Sequence, residues 1–309
     1  MSSEKFFNTK KALITLIAAS LVVIVSLGIR QTFGLFFFDF NTDLDISISH
    51  FGFVIGLQLL MWGVFSPVFG FITDKYGGAT AIFIGFLFYL AGLLMFYSGL
   101  NTGYLFTLTI GLLIGIGLGG TAISIPVSVV AKHFPSSNRT IATGIVTCAG
   151  SFGFFVSPLL VRYSLIEIGW EITILYFCFL LGIGLITALF ISTPKTPVGT
   201  NDNNNQTAKE ALIEALSNKS FIFLTLGFFV CGWHIALVAT HIPTYIMDRG
   251  LPDWTAAMIL ALVGVFNMIG TMGSGYLATK FSKKKVLSAI YLLRGVSLIY
   301  FLFLPPSVF

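Results

Sequence analysis

The stretch Gly70-Phe71-Ile72-Thr73-Asp74-Lys75-Tyr76-Gly77 is a charged, glycine-flanked turn between two long apolar runs. These runs start near His50 and Thr80, and each has the length of about 20 residues that a bilayer-spanning helix needs. Glycine permits a tight reversal and a close approach of helix ends. The stretch therefore predicts two membrane helices joined by a short loop that carries one acid and one base.

The composition places the whole chain in a membrane. Of its 309 residues, 56% are hydrophobic and only 9% are charged, whereas soluble proteins have about 25% charged residues. Apolar runs of spanning length start near Ala12, His50, Thr80, Tyr104, Thr140, Ile172, Phe221, Thr255 and Val286. They lack the alternation of a barrel strand, so the predicted fold class is an all-α membrane protein with nine such helices.

Basic residues are concentrated in alternate loops. If the N-terminus is cytoplasmic, most of the 17 lysines and arginines fall on the inside, and only Arg162 and Arg249 fall in outside loops. Cytoplasmic loops carry an excess of lysine and arginine, so this bias predicts a cytoplasmic N-terminus. It also accounts for the net charge of +5 without a nucleic-acid partner.

No motif in the sequence predicts a cofactor, a metal site or an enzyme. Cys148, Cys178 and Cys231 lie inside apolar runs without metal-ligand spacing. The residues Gly115–Gly120 match a dinucleotide pattern by letter, but no strand precedes them, so they predict close helix packing instead. The sequence contains no H-E-x-x-H, G-x-S-x-G or P-loop motif.

Internal repetition divides the chain into two parts. Gly275–Lys284 follows the eighth apolar run as Gly70–Gly77 follows the second, and a polar stretch around Asn201–Gln206 separates the sixth run from the seventh. We therefore predict an N-terminal six-helix bundle over residues 1–194 and a cytoplasmic linker over 195–219. A partial C-terminal bundle of three helices is predicted over residues 220–309.

The Gly70 stretch, its echo and the order of the runs resemble the major facilitator superfamily of secondary transporters. Its loop pattern is G-x-x-x-D-[RK]-x-G, which Gly70, Asp74, Lys75 and Gly77 match. The resemblance implies a major facilitator fold with about nine of the usual twelve transmembrane helices present, the last three being truncated. It implies a transporter that works by alternating access and is not an enzyme.

In that family the loop is a conformational latch, and its aspartate engages nearby basic residues. Asp74 and Lys75 would lie at the cytoplasmic surface, where an ion pair can form in one state and break in the other. Arg139 is the predicted partner of Asp74. The family's basic pair at the end of the loop is replaced here by Gly78-Ala79. The alternative is an ordinary solvated loop.

Two other segments narrow the resemblance. Lys132–Phe134 with Arg139–Gly144 resembles the junction of the fourth and fifth helices in monocarboxylate and oxalate/formate-type carriers. Cys231–His234 with His241–Pro243 resembles bacterial carriers of the monocarboxylate type. The resemblance implies a small organic anion, a monocarboxylate, as the substrate, with proton symport left open. It implies a plasma-membrane location, in the inner membrane of a bacterium.

Four polar residues inside the apolar runs are the predicted substrate contacts: Arg30, His234, His241 and Asn267. The guanidinium of Arg30 can hold a carboxylate through two parallel hydrogen bonds. His234 and His241 are two turns apart on one helix face, and histidine can carry a coupled proton near neutral pH. The alternatives are snorkelling of Arg30 towards Asp39 and hydrogen bonding of the histidines between helices.

Other functions stay open at the level of sequence. No acid lies deep in any apolar run, which favours an anion over a cation, yet an exporter of drugs or other small apolar or cationic compounds has the same fold. A nonfunctional fragment and a membrane receptor are further alternatives. Arg294 lies in the ninth run, which does not line the cavity in the family, so we predict that it pairs between helices or snorkels. The expected partners are a small anion, the lipid bilayer and, if transport is coupled, protons.

Overall fold

A computed structural model of the chain describes residues 10–99, 103–192 and 208–303, and the regular structure in these ranges is helical. In the first part the elements are α1 Lys10–Gln31, a 3-10 segment Phe33–Phe36, α2 Phe37–Leu44, α3 Ile48–Tyr76, α4 Gly78–Tyr97, α5 Gly103–Phe106, a π segment Thr107–Leu113, α6 Ile114–Thr121, α7 Ser124–His133 and α8 Ser136–Ala188. They continue with α9 Ala208–Ser217, α10 Lys219–Ala236, a π segment Leu237–His241, α11 Ile242–Asp248, α12 Asp253–Lys280 and α13 Lys283–Phe303. The predicted all-α class is confirmed.

Within the described residues, seven helical stretches are long and apolar enough to cross a membrane. They are Lys10–Leu44, Ile48–Tyr76, Gly78–Tyr97, Gly103–His133, Asn138–Ala188, Lys219–Asp248 and Trp254–Lys280. The protein is therefore an integral membrane protein. The predicted ninth run is helical as α13 but is not one of the seven. The count of nine and the cytoplasmic N-terminus stay predictions.

The helix α8 folds back on itself at Gly169. Its 53 residues would extend about 80 Å if straight, but Gly169 has φ 79° and ψ 169°, a conformation that glycine adopts readily. Along α8, the contacted position in the first span, Lys10–Leu44, first moves towards the C-terminal end of that span and then moves back. A Cβ on Gly153 would lie 2.7 Å from Ile24 O, and Trp170 donates to Asp43. Ser192, just after α8, then returns to Thr15, with 3.1 Å between their hydroxyl oxygens.

Small residues bring the helices of the N-terminal part into backbone contact. A Cβ on Gly117 of α6 would lie 2.7 Å from the carbonyl oxygen of Gly85 in α4. On another face of α6, a Cβ on Gly115 would lie 2.7 Å from the carbonyl oxygen of Gln58 in α3. Side chains larger than hydrogen have no room at these crossings. The prediction that Gly115–Gly120 serves helix packing is confirmed.

The Gly70–Gly77 stretch differs from the predicted loop. Its first seven residues belong to α3, which runs to Tyr76, and only Gly77 links α3 to α4. Gly77 has φ 96°, which an L side chain rarely adopts, so a single glycine makes the reversal. Asp74 and Lys75 therefore project from the last turn of a helix rather than from a loop.

Among the described residues, the C-terminal helices approach the N-terminal part closely enough at two glycines to exclude a larger side chain. In the first, a Cβ on Gly264 of α12 would lie 2.4 Å from Phe155 N of α8. The second is at the ends that are outer in the predicted orientation, where a Cβ on Gly34 would lie 2.3 Å from Ala239 O. Gly34 is in the 3-10 segment and Ala239 in the second π segment.

The predicted division into residues 1–194, 195–219 and 220–309 stays a prediction. Residues 193–207, which include most of the predicted linker, and residues 304–309 lie outside the described residues. The described end of the linker contains α9, whose Ile213 and Leu216 are exposed. The side chain of Asn218 then caps α10 by accepting hydrogen bonds from Ser220 N and Phe221 N.

Candidate functional site

A cavity of about 1060 Å³ opens between α1, the first arm of α8, and the helices α10, α12 and α13. Apolar side chains form most of its wall. The polar and charged residues of the wall are Gln31, His234, Asn267, Thr271, Ser274, Lys285, Arg294 and Ser297. No aspartate or glutamate of the described ranges lines it. The cavity thus combines apolar walls with hydrogen-bonding groups and positive charge.

Arg30 lies beside this cavity rather than on its wall. Its side chain is only 3% exposed, and it is buried in the N-terminal part within electrostatic reach of Tyr89. The Nε atom of Arg30 has no hydrogen-bond partner. Among the described residues Arg30 forms no ion pair, so the alternative of pairing with Asp39 is not what the structure shows.

Gln31, which was not among the predicted site residues, is the residue of this segment that lines the cavity. It is 1% exposed and its Oε1 atom has no partner. The helix changes character immediately after it, because Thr32 turns its hydroxyl back to Ile29 O at 2.8 Å and a 3-10 segment follows. Three consecutive polar residues, Arg30-Gln31-Thr32, inside an apolar run are the sequence pattern that points to this site.

The two histidines of the seventh run do not share a face, which corrects the prediction. His234 lines the cavity, and its buried Nδ1 atom has no partner. His241 is exposed and lies against Gly52 of α3, where a Cβ would be 3.5 Å from the imidazole Cε1. The π segment Leu237–His241 lies between them. Its wider turn rotates His241 away from the position that a regular α-helix predicts.

Asn267 lines the cavity and also joins the two parts of the molecule. Its Nδ2 atom donates to Ser151 Oγ of α8 over 3.0 Å. Arg294 lies on the cavity wall too, whereas the prediction was pairing between helices or snorkelling. In the structure α13 packs beside α12, and its Tyr291 hydroxyl donates to Gly227 O of α10 at 2.7 Å.

The predicted latch forms an ion pair with a partner other than the predicted one. Lys132 Nζ of α7 donates to Asp74 Oδ1 over 2.7 Å, whereas Arg139 was the predicted partner. Lys132 is in the last turn of α7, beside the end of α3, while Arg139 follows the Pro135 turn into α8. Asp74 and Lys132 border a second cavity of about 480 Å³, which Gly70 also lines.

A family model described as the Major Facilitator Superfamily matches residues 18–309 of the chain. The chain belongs to the major facilitator superfamily. The match covers nearly all of the sequence, so it confirms the resemblance that the Gly70 stretch carries. Named relatives of this facilitator are transporters, which agrees with the prediction of a transporter rather than an enzyme.

The relatives are distant and longer. The agnestins efflux protein of Paecilomyces divaricatus is 23% identical over 93% of this chain and 65% of its own length. The MFS-type transporter opdF of Penicillium oxalicum is 23% identical over 96% of this chain and 68% of its own length. The probable nitrate transporter NarT of Staphylococcus epidermidis is 23% identical over 75% and 57%. The facilitator thus spans about two thirds of the length of its first two relatives.

Solved structures show the same fold. A bacterial homolog of the human lysosomal transporter Spinster matches with a TM-score of 0.61 and 18% identity, over 89% of this chain and 64% of that one. A D-xylose-proton symporter matches with a TM-score of 0.59 and 17% identity, over 87% and 69%. Both confirm the major facilitator fold.

The Asp74–Lys132 pair makes a prediction for this facilitator that separates transport from stability. Asp74→Asn should lower transport at least about tenfold if the pair switches between states. Because Asp74 is 74% exposed, the free energy of unfolding should change by less than about 1 kcal/mol. Flux into liposomes and thermal melting measure the two quantities.

Lys219 provides the matched control for this prediction. It is exposed at the start of α10, so Lys219→Gln removes a charge without breaking the Asp74 pair. The double variant Asp74→Lys with Lys132→Asp should recover part of the flux. Normal flux in Asp74→Asn would contradict the latch role.

Proposed function

We propose that the protein is a secondary carrier of small organic anions, monocarboxylates among them, in the plasma membrane. The observation that carries this proposal is the charge of the cavity wall. Lys285 and Arg294 line it, and no described acid does. Walls of low polarity weaken screening, so these cations raise the local concentration of anions and disfavour cations.

Arg30 supports the same substrate class. A guanidinium inside a membrane protein is costly unless a partner or a cavity compensates for its burial. Arg30 has no acidic partner among the described residues, and its neighbour Gln31 reaches the cavity. A carboxylate that arrives at the end of α1 would supply the missing partner, with two oxygens that match the planar guanidinium. Nitrate, which the NarT name gives as that relative's substrate, has the same planar oxygen geometry.

His234 is the proposed carrier of a coupled proton. It faces the cavity, and its buried Nδ1 atom has no partner. Protonation would give the ring a second N–H donor and add a positive charge where the anion binds. Anion and proton would then stabilise each other in the same cavity.

Alternating access would use the contacts between the two parts. Gly34 against Ala239 closes the ends that are outer in the proposed orientation. Gly264 and Asn267 hold α12 against α8 near the middle. The Asp74–Lys132 pair lies at the opposite end, where it can exchange partners as the two parts tilt.

Export of a larger, mostly apolar compound is the second candidate. The cavity of about 1060 Å³ exceeds the volume that a small monocarboxylate fills, and most of its wall is apolar. The relative from Paecilomyces divaricatus is named as an efflux protein. A large apolar acid would match both the volume of the cavity and the positive charge of its wall.

Counterflow in liposomes containing the full 309-residue chain tests the proposal. The panel comprises labelled acetate and lactate, labelled nitrate, an aromatic carboxylate, and a lipophilic cationic dye. We expect saturable flux of the carboxylates, stimulated by an inward proton gradient, and none of the dye. Flux of the aromatic acid alone would support the second candidate. Saturable flux of the dye without any anion would overturn the anion carrier and favour the second candidate.

A further inference from the structure

We propose that Gln31 is a specificity-determining residue, which makes the cavity prefer an anion that carries a hydroxyl group over the same anion without one. This inference rests on the proposed function, because it takes the substrate to be an organic anion that binds in the cavity. It adds a second group by which such an anion is recognised, and it assigns that recognition to an uncharged side chain of α1.

Gln31 presents a hydrogen-bond acceptor that the protein itself does not satisfy. The side chain lines the cavity and is 1% exposed, and its carbonyl oxygen Oε1 has no partner among the described residues. Most buried polar atoms of proteins have a partner, and a buried acceptor without one costs stability. An unpaired acceptor at the wall of a cavity therefore indicates that the missing donor comes from the cavity.

The backbone of α1 is held on both sides of Gln31. Three residues before it, a Cβ on Gly28 would collide with the Ser157 hydroxyl of α8. Three residues after it, a Cβ on Gly34 would collide with the carbonyl oxygen of Ala239. These two close approaches fix the backbone from which the side chain of Gln31 projects, so its amide is presented to the cavity by a rigid support.

Neither α12 nor a carboxylate supplies the missing donor. Among the residues of α12 that line the cavity, Ser274 donates its hydroxyl to Thr271 O at 3.1 Å, and Asn267 directs its Nδ2 atom to Ser151 Oγ at 3.0 Å. An ionised carboxylate only accepts hydrogen bonds. A ligand that satisfies Gln31 therefore carries a donor of its own in addition to its carboxylate.

The Nδ1 atom of His234 is the other unpaired buried atom among the described residues that line this cavity. In the proposed function the protonated ring of His234 donates to the anion, so its N–H is directed to the carboxylate. Arg30, which also donates only, addresses the carboxylate as well. The acceptor of Gln31 is thus left for a hydroxyl of the same ligand.

Exchange of water for ligand explains how this acceptor discriminates between two anions. While the cavity is open, a water molecule can donate to the Oε1 atom of Gln31. A ligand that displaces this water without replacing its hydrogen bond leaves the oxygen unpaired, which lowers the affinity. A hydroxyl group of the ligand restores the bond. We expect the unsubstituted acid to bind about fivefold to a hundredfold more weakly.

Two matched pairs of acids test the preference on the purified full-length chain. Lactate and propionate differ only in the 2-hydroxyl group, and so do mandelate and phenylacetate, which fill more of the cavity of about 1060 Å³. Calorimetry gives the Kd, and liposome flux gives the KM. The hydroxy acid should have the lower Kd and KM in at least one pair, by about fivefold to a hundredfold. Equal values within both pairs would overturn the inference.

The variant Gln31→Met assigns the preference to this residue. Methionine has a similar length but only a weak acceptor. The Kd of the preferred hydroxy acid should rise to that of its unsubstituted partner, whose own Kd should stay the same or fall. A preference that persists in Gln31→Met, or an equal loss of affinity for both members of the pair, would overturn the inference. Packing or pairing of Gln31 within the protein would then explain its burial.

Gln58→Met is the matched control. Gln58 is a buried glutamine of α3 that donates to Ile110 O at 3.0 Å and does not line the cavity. The ratio of the two Kd values within a pair should therefore stay at the wild-type value, whatever the variant does to stability. A loss of the preference in Gln58→Met as large as that in Gln31→Met would contradict a direct contact with the ligand.

The outcomes also distinguish this inference from the proposed function. If the wild-type chain carries both members of each pair without preference, the role of Gln31 is wrong and the anion carrier stands. If the wild-type chain neither binds nor carries any of the anions, the proposed function fails and the inference fails with it.

Discussion

Replacing Gly34 with valine is expected to lower transport strongly by preventing closure of the ends that are outer in the predicted orientation. A Cβ at Gly34 would lie 2.3 Å from the carbonyl oxygen of Ala239, and the clash is with backbone, which cannot rotate away. Overpacking of this kind costs about 1–3 kcal/mol. Because the strain is confined to the contact between the two parts, it should shift the conformational equilibrium by about 5- to 150-fold towards the state in which this contact is open.

Liposome flux and the accessibility of an introduced cysteine measure this effect. Flux should fall at least about tenfold, and a cysteine at Thr240, buried beside the contact, should become reactive from the outer side. Gly56→Val is the matched control, because a Cβ at Gly56 meets nothing within 4 Å. Full flux in Gly34→Val, with Thr240→Cys still protected, would show that the contact is not a gate.

Replacing Arg30 with glutamine is expected to lower anion flux about a hundredfold while leaving the protein as stable as before or more stable. The loss follows from removing a charged two-point donor for the carboxylate. The stability should not fall, because Arg30 is 3% exposed and has no ion-pair partner in the described ranges. Glutamine therefore removes an uncompensated buried charge.

The decisive comparison for Arg30 is between flux and the melting temperature. Arg30→Lys should recover little flux, since an ammonium has no planar fork. Arg249→Gln is the control for the loss of an arginine in general, because Arg249 is exposed and stacks on Tyr245 at 5.1 Å. A large fall in melting temperature in Arg30→Gln would assign the residue to folding rather than to substrate.

Particular residues show how far the sequence leads. Gly70, Asp74, Lys75 and Gly77 identify the family because a pattern of residue types at fixed spacing survives without knowledge of the contacts. The predicted partner of Asp74 was wrong, since Lys132 rather than Arg139 forms the ion pair with it. Which of two nearby cations reaches a carboxylate depends on how α7 ends beside α3, and spacing along the chain does not contain that information.

The membrane class, the long apolar helices and the superfamily were determined by the sequence itself. Burial of apolar residues in lipid is a property of composition and run length, so it needs no knowledge of tertiary packing. The pattern of Gly70–Gly77 indicated the family, and the family-model match over residues 18–309 confirmed it.

Only the tertiary structure decided which polar side chains share a cavity. Gln31 rather than Arg30 lies on the wall, and a π segment turns His241 away from His234. Such irregular turns change the direction of every following side chain, and no residue pattern announces them. Arg294 lies on the cavity wall because of where α13 packs beside α12 and α10, and spacing along the chain does not contain that information.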